Sequence, residues 1–259
     1  MGAHQLDSEL IYVNHPNFEF TTENSDFSET VKINSDGFRD HKIKEKVVSV
    51  KRIVLVGDSF VFGYGISENK KTISEIMENQ LKNADVINTG VRGYSPDQEY
   101  KFIITRILKL KPDFVVWELN PHDIENMKYF PSLYDLDNNR NLKPTDAKQT
   151  WIYWQGKIIN KWPFLYHKSF LLKNILNNFS RTPYLNRALL IPENKRHAWI
   201  LSKLTKEIIE ASKYLDNKGI KLLVAFFPVK YSYTSDTYNA NYSEAFDIFK
   251  ILKLNLYKY

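Results

Sequence analysis

The stretch that most constrains this chain is Arg52-Ile-Val-Leu-Val-Gly-Asp-Ser-Phe-Val-Phe-Gly-Tyr-Gly65. Four consecutive aliphatic residues, Ile53 to Val56, describe a strand buried on both faces, the kind found in parallel sheets. The run stops at Gly57-Asp58-Ser59, and glycines at 63 and 65 precede a helical pattern. A small residue, a carboxylate and a hydroxyl at the carboxyl end of a buried strand occupy the place where open α/β sheets hold their ligands. From these residues alone, three readings stand. Ser59 is a nucleophile at a strand-to-helix turn with backbone N–H groups beside it, the glycines form a phosphate cradle at a helix N-terminus, or the stretch is a tight turn with a capping serine. The cradle is the weakest, because neither the dinucleotide fingerprint nor Gly-x-x-x-x-Gly-Lys-Ser/Thr is present.

The pattern continues down the chain. Ile73, Ile76, Met77 and Leu81 fall at helical spacing and predict a helix over 70–82 covering one sheet face. Asp85 to Asn88 predicts a second strand, with the loop Thr89 to Tyr94 at its carboxyl end. Ser95-Pro96-Asp97-Gln98 reads as a helix start: a capping hydroxyl, Pro in the first turn and Gln three residues on. Tyr100, Ile103, Ile104, Ile107 and Leu108 form the buried stripe of that helix, and Phe114 to Leu119 is a third strand. Leu201, Leu204, Ile208 and Leu215 mark a long helix closed by Asn217-Lys-Gly219. Ile220 to Phe227 is a fourth strand stopped by Pro228, and 241–254 predicts one more helix.

Strands alternating with helices over short connections specify a parallel sheet with right-handed crossovers. The expected class is α/β: a three-layer, flavodoxin-like parallel sheet with helices on both faces. Three strand ends then share one rim, carrying Gly57 to Ser59, Asn88 to Gly93, and Asn120 to Asp123. This domain takes residues 51–259, with an insertion or lid at about 124–195. There Trp151, Tyr153, Trp154, Trp162, Phe164, Tyr166 and Phe170 crowd between prolines and predict a mostly helical subdomain or a wall over the rim. Residues 1–50 read as an N-terminal extension. Its alternating segment Thr30 to Arg39, with the turn signal Asp36-Gly37, predicts a short strand or hairpin on the surface of the main domain.

Composition excludes several classes. A chain of 259 residues that is 43% hydrophobic, with 16 Tyr and 16 Phe, buries a core and is not a disordered polymer. The net charge of +6 reads as spread along the sequence in solvated clusters such as Lys42-Ile-Lys-Glu-Lys46. Nothing resembles a nucleic-acid module, so no nucleic-acid partner is expected. The absence of cysteine excludes disulfides and thiolate metal sites. The six histidines, at 4, 15, 41, 122, 167 and 197, lack ligand spacing, and neither metal nor cofactor is expected. No apolar stretch approaches the length of a transmembrane helix and no secretion signal opens the chain.

Taken together, the motifs resemble the SGNH, or GDSL-type, hydrolases, a superfamily of bacterial serine esterases, lipases and carbohydrate deacetylases. Gly57-Asp-Ser-Phe60 is similar to the nucleophile block, which implies Ser59 as nucleophile and its N–H as an oxyanion donor. Asn88-Thr-Gly-Val-Arg-Gly93 is similar to the second block, implying Gly93 N–H as another donor. Asp113 to Asp123 aligns without gaps to the third block, placing Asn120 on the usual Gly and His122 on the usual oxyanion-binding Asn. An imidazole donates a hydrogen bond as an amide does, so His122 takes that role; a shifted register gives it to Asn120. Asp58, Asn88 and Asp123 are implied as structural residues at the site. Ile33 to Asp40 is similar to a piece that often precedes the nucleophile strand in one bacterial branch.

One departure is larger. The family ends in Asp-x-x-His, whose imidazole activates the serine, and no such motif follows Phe227. A serine without a base is a poor nucleophile at neutral pH, so the chain as it stands is expected to be truncated or catalytically impaired. His167 and His197 lie in or beside the insertion and are weak substitutes. Glu118, near a strand end, has a raised pKa wherever it is buried. The resemblance implies a small-molecule or glycan acyl ester as substrate. The alternatives are a glycan O-acyltransferase of the same fold, or a non-catalytic binding scaffold. The branch it resembles is often extracytoplasmic or membrane-tethered, which sets the expectation for compartment.

Overall fold

The computed structural model describes residues 3–23, 25–120, 123, 127, 134–136, 142–144, 157–159, 161–172 and 193–227. Four parallel strands build the central sheet: β5 (Lys51–Val56), β6 (Ala84–Asn88), β7 (Phe114–Leu119) and β10 (Lys221–Phe226). Their spatial order is β10-β7-β5-β6, with Ile53 opposite both Val86 and Phe114 and Lys221 opposite Phe114. In chain order among the parallel strands this is 2-1-3-4, the doubly wound arrangement. Its direction reverses between β5 and β7, and the crevice at their carboxyl ends is where such sheets bind ligands.

Strand alternation sorts the core into two layers. Val54, Val56, Ile87, Val115, Trp117 and Leu119 face helices α3 (Pro96–Thr105) and α5 (Glu193–Asp216). Leu55, Val86, Ile53 and Val116 face the other way, onto Ile73 and Met77 of α2 (Ile73–Gln80). Helices therefore cover both faces, as expected for three layers. Helix α2 is shorter than the predicted 70–82, and two residues of its expected stripe, Ile76 and Leu81, are exposed. Leu108 likewise lies past the end of α3 and is partly exposed, because that helix gives way to a 3-10 turn at Ile107–Leu110. Gln98 turns back to accept from Ser95 N at 3.2 Å, as a helix start requires, and donates to Leu10 O at 2.7 Å. Helix α5 closes at Gly219, where Ile220 N returns to Leu215 O.

The first fifty residues hold two hairpins. Strands β1 (His4–Asp7) and β2 (Ile11–Asn14) pair antiparallel, as do β3 (Glu19–Glu23) and β4 (Ser28–Lys32). They lie deeper than the surface strand expected, since Leu10 and Ile11 are fully buried in the main core. Burying each such side chain contributes on the order of 2 kcal/mol. Arg39 is also buried, and its guanidinium donates to Gly63 O and Ile66 O at 2.6 Å each and faces Glu29 at 3.4 Å. The bonds from Arg39 to the two carbonyls, and from Gly65 N to Glu29, tie the extension to the loop that follows the Ser59 turn. Between α3 and α5, Lys203 is buried against Asp97, with Glu207 at 3.8 Å.

Of the 124–195 region, the described parts are the hairpin β8 (Tyr134–Leu136) and β9 (Leu142–Pro144), helix α4 (Pro163–Lys168) and short neighbouring pieces. The rest of the expected insertion and the predicted helix over 241–254 lie outside the described residues. Among the described residues, no helix is long and apolar enough to cross a membrane.

Candidate active site

The Ser59 turn is built by its own neighbours. Asp58 caps the four-residue helix α1 (Ser59–Phe62) by accepting from Phe60 N at 2.8 Å, and Ser59 O accepts from Gly63 N and Tyr64 N. Ser59 is half-buried while Asp58 is buried. Among the described residues the Ser59 hydroxyl makes no hydrogen bond.

The second loop is clamped against this turn. Val91 N donates to Gly57 O at 3.2 Å, and the buried Asn88 side chain donates to Val61 O at 2.7 Å while accepting from Gly90 N. Gly90 sits so close to α1 that an added Cβ would meet Phe62 N at 2.3 Å, so only glycine fits there. Asp40, from the extension, accepts from Asn88 N at 2.5 Å. Gly93 follows in the left-handed region at φ 77°. Its carbonyl accepts from Tyr12 Oη at 2.7 Å, and Tyr94 Oη donates to Tyr12 O at the same distance. Tyr12 Oη also lies 3.2 Å from Arg92 O, the carbonyl that shares a peptide group with the Gly93 N–H, so the β1–β2 hairpin braces the donor the sequence singles out.

The third strand end supplies acids. The Glu118 carboxyl accepts from Asn120 Nδ2 at 3.3 Å and packs on Gly57, where an added Cβ would meet Glu118 Oε2 at 2.7 Å, so the β7 end lies against the Ser59 turn. Burial, then the nearby Asp58 charge, raises its pKa to about 8. Asp123, also buried, accepts from Asn120 N at 2.7 Å. Burial and the charges of Glu99, Asp58 and Glu118 push it well above the carboxylate range. Glu99 accepts from Trp117 Nε1 at 2.8 Å and is likewise pushed well up, by burial first and Asp58 second. One oxygen of each of these three carboxyls has no partner among the described residues. Burial thus favours the protonated, neutral form of all three carboxyls.

The structure thus places Ser59, Asp58, Asn88, Gly93, Asn120 and Asp123 at or just after the carboxyl ends of β5, β6 and β7, around the switch point. Asn120 is buried with its amide turned to Glu118. His122 lies outside the described residues, as do the side chains of His167 and His197. Sequence reading missed Glu99 and Tyr12. A tryptophan in a doubly buried strand needs an acceptor for its indole N–H, and that was the available signal for Glu99. Tyr12 carries no local signal, because its partner is 81 residues away.

One acid–imidazole group adjoins this rim through Asp40. His41 Nδ1 lies 2.7 Å from Asp40 Oδ1 and 3.4 Å from Glu75 Oε1, with Glu78 and Asp85 near its other nitrogen. The spacing suits a metal, but the hydrogen bond to Asp40 raises the imidazole to about 9. An imidazolium already supplies the positive charge there at neutral pH.

The class that fold and rim define is a doubly wound α/β protein with a serine turn at its switch point. No family model and no curated protein matches the chain. Solved structures do. A lipolytic protein of the G-D-S-L family from Desulfitobacterium hafniense is 13% identical over 78% of this chain and 74% of its own, with a TM-score of 0.40. A lipase/acylhydrolase from Enterococcus faecalis is 16% identical over 67% and 75%, with a TM-score of 0.26. A GDSL-like lipase from Bacteroides thetaiotaomicron is 14% identical over 70% and 71%, with a TM-score of 0.28.

Proposed function

We propose that this chain carries the acyl-ester hydrolase site of an SGNH/GDSL-type serine enzyme, of the esterase or carbohydrate deacetylase class. Ser59 Oγ attacks the ester carbonyl, and the N–H groups of Ser59 and Gly93 receive the oxyanion. His122 is the third donor, with Asn120 as the alternative; the Asn120 amide is engaged by Glu118 and would have to turn to serve. The observation that supports this reading is the convergence at one switch point. Val91 N and Asn88 bind the Ser59 turn from one side, and Glu118 packs on its Gly57 from the other.

Donors of this kind are worth about 3 kcal/mol each in acyl transfer. A paired imidazole base supplies the rest of the activation of a serine. The sequence printed here holds no Asp-x-x-His after Phe227, so with this chain alone we expect slow turnover of simple esters. A fluorophosphonate probe tests the nucleophile without requiring turnover. Labelling should occur at Ser59 and vanish in Ser59→Ala. Absence of labelling, with the protein folded, would favour a binding scaffold that kept the turn and lost the chemistry.

A further inference from the structure

The chain's positive charge is not spread evenly. Residues 147–192 hold seven of its 36 Lys and Arg and none of its 30 Asp and Glu, leaving 29 basic against 30 acidic residues elsewhere. The whole excess thus resides in one segment, which also carries nine of the chain's Phe, Trp and Tyr. Where this segment is described, five of its apolar side chains face outward, while Ile158, Ile159 and Leu172 are half-buried. Trp162, Phe164, Leu165, Phe170 and Leu171 are between 49% and 81% exposed, and Lys157, Lys161 and Lys168 are exposed among them. Lys161 Nζ lies 4.8 Å from the Trp162 ring centre. Single exposed apolar residues are ordinary on a protein surface; five within ten positions, interleaved with lysines, are not.

We propose that residues 157–172, around α4, form an interfacial surface that binds an anionic lipid bilayer. Phenylalanine, tryptophan and leucine enter the boundary between headgroups and acyl chains, while the lysines meet lipid phosphates. The same charge would suit an acidic polysaccharide. Leu165 and Leu171, however, offer no ring face to a sugar and gain only by leaving water, which favours lipid. The surface stands apart from the serine chemistry and does not depend on it.

Co-sedimentation of the intact chain with phosphatidylcholine vesicles, with and without phosphatidylglycerol, tests this. Binding should be at least about tenfold tighter with phosphatidylglycerol and should weaken as salt is added. Lys161→Gln/Lys168→Gln should weaken it about 30-fold, taking roughly fivefold per charge. Phe164→Ser/Phe170→Ser should lose about tenfold or more with the charge unchanged. These positions are exposed, and circular dichroism checks that each variant folds; should the Phe pair not fold, the Lys pair and the salt titration still decide. Ser59→Ala should bind vesicles like the parent, which separates this surface from the fate of the nucleophile. No binding to phosphatidylglycerol vesicles, equal binding to both lipids, or retention on an acidic polysaccharide matrix without vesicle binding would each overturn the proposal.

Discussion

The two walls of the serine crevice are held by different physics. On the β6 side, the loop from Asn88 to Tyr94 is fixed mainly by backbone contacts and neutral hydrogen bonds, Asn88 to Val61, Val91 to Gly57 and Tyr12 to Gly93, with the Asp40 carboxyl on Asn88 N. On the β7 side, Glu118, Asp123 and Glu99 are carboxyls whose burial and mutual repulsion push their pKa values up and favour the neutral form. The first wall is set chiefly by geometry and should respond to pH less than the second. The second depends on proton uptake, because burying an ionised acid costs far more than burying a neutral one. A rim joined at one edge by steric fit and at the other by protonation should respond to mutation and to pH through separate walls.

The largest expected effect is on the acidic wall. Glu118 titrates near 4.5 when unfolded and about 8 when folded, so its stabilising contribution is full below pH 4.5 and is lost as pH rises through 8. The loss is on the order of 5 kcal/mol at about 1.36 kcal/mol per unit. Denaturant titrations should therefore show stability declining across that window, and Glu118→Gln should flatten the decline. A slope unchanged in the variant would move the proton to Asp123 or Glu99.

Next comes the geometric wall. Gly90→Ala places a methyl against the α1 backbone, which cannot step aside as a flexible side chain would. Overpacking there should cost about 3 kcal/mol, equally at pH 5 and pH 8. A penalty that changed with pH would mean the two walls are coupled. The smallest effect is Tyr12→Phe. Losing one hydrogen bond to Gly93 should cost about 1 kcal/mol of stability. It should also slow fluorophosphonate labelling of Ser59 several-fold, through a looser oxyanion amide. Unchanged labelling would make Tyr12 a packing residue only.

Much of the scaffold was legible in the sequence. Buried strands announce themselves as runs of aliphatic residues, and Phe114–Leu119 was bounded correctly because Pro112-Asp113 and Asn120-Pro121 flank it. Helix α2 was overdrawn, since apolar spacing marks which residues would share a face and not whether a partner covers them; Ile76 and Leu81 have no such cover. Glycine, carboxylate and hydroxyl at the end of β5 pointed to the Ser59 turn for a local reason: a chain leaving a buried strand into a helix needs small and capping residues there.

What the sequence determined by itself is the α/β alternation, the place of the rim and the candidate nucleophile on it, because these follow from periodicity and turn chemistry within a few residues. What only the tertiary structure decided is which distant groups surround that hydroxyl: the Tyr12 clasp on Gly93, the buried Arg39 beneath the loop after α1, and the neutral acids Glu118, Glu99 and Asp123. Hydrogen bonding across tens of residues and the dielectric that shifts a proton are properties of packing, and packing exists only once the chain has folded.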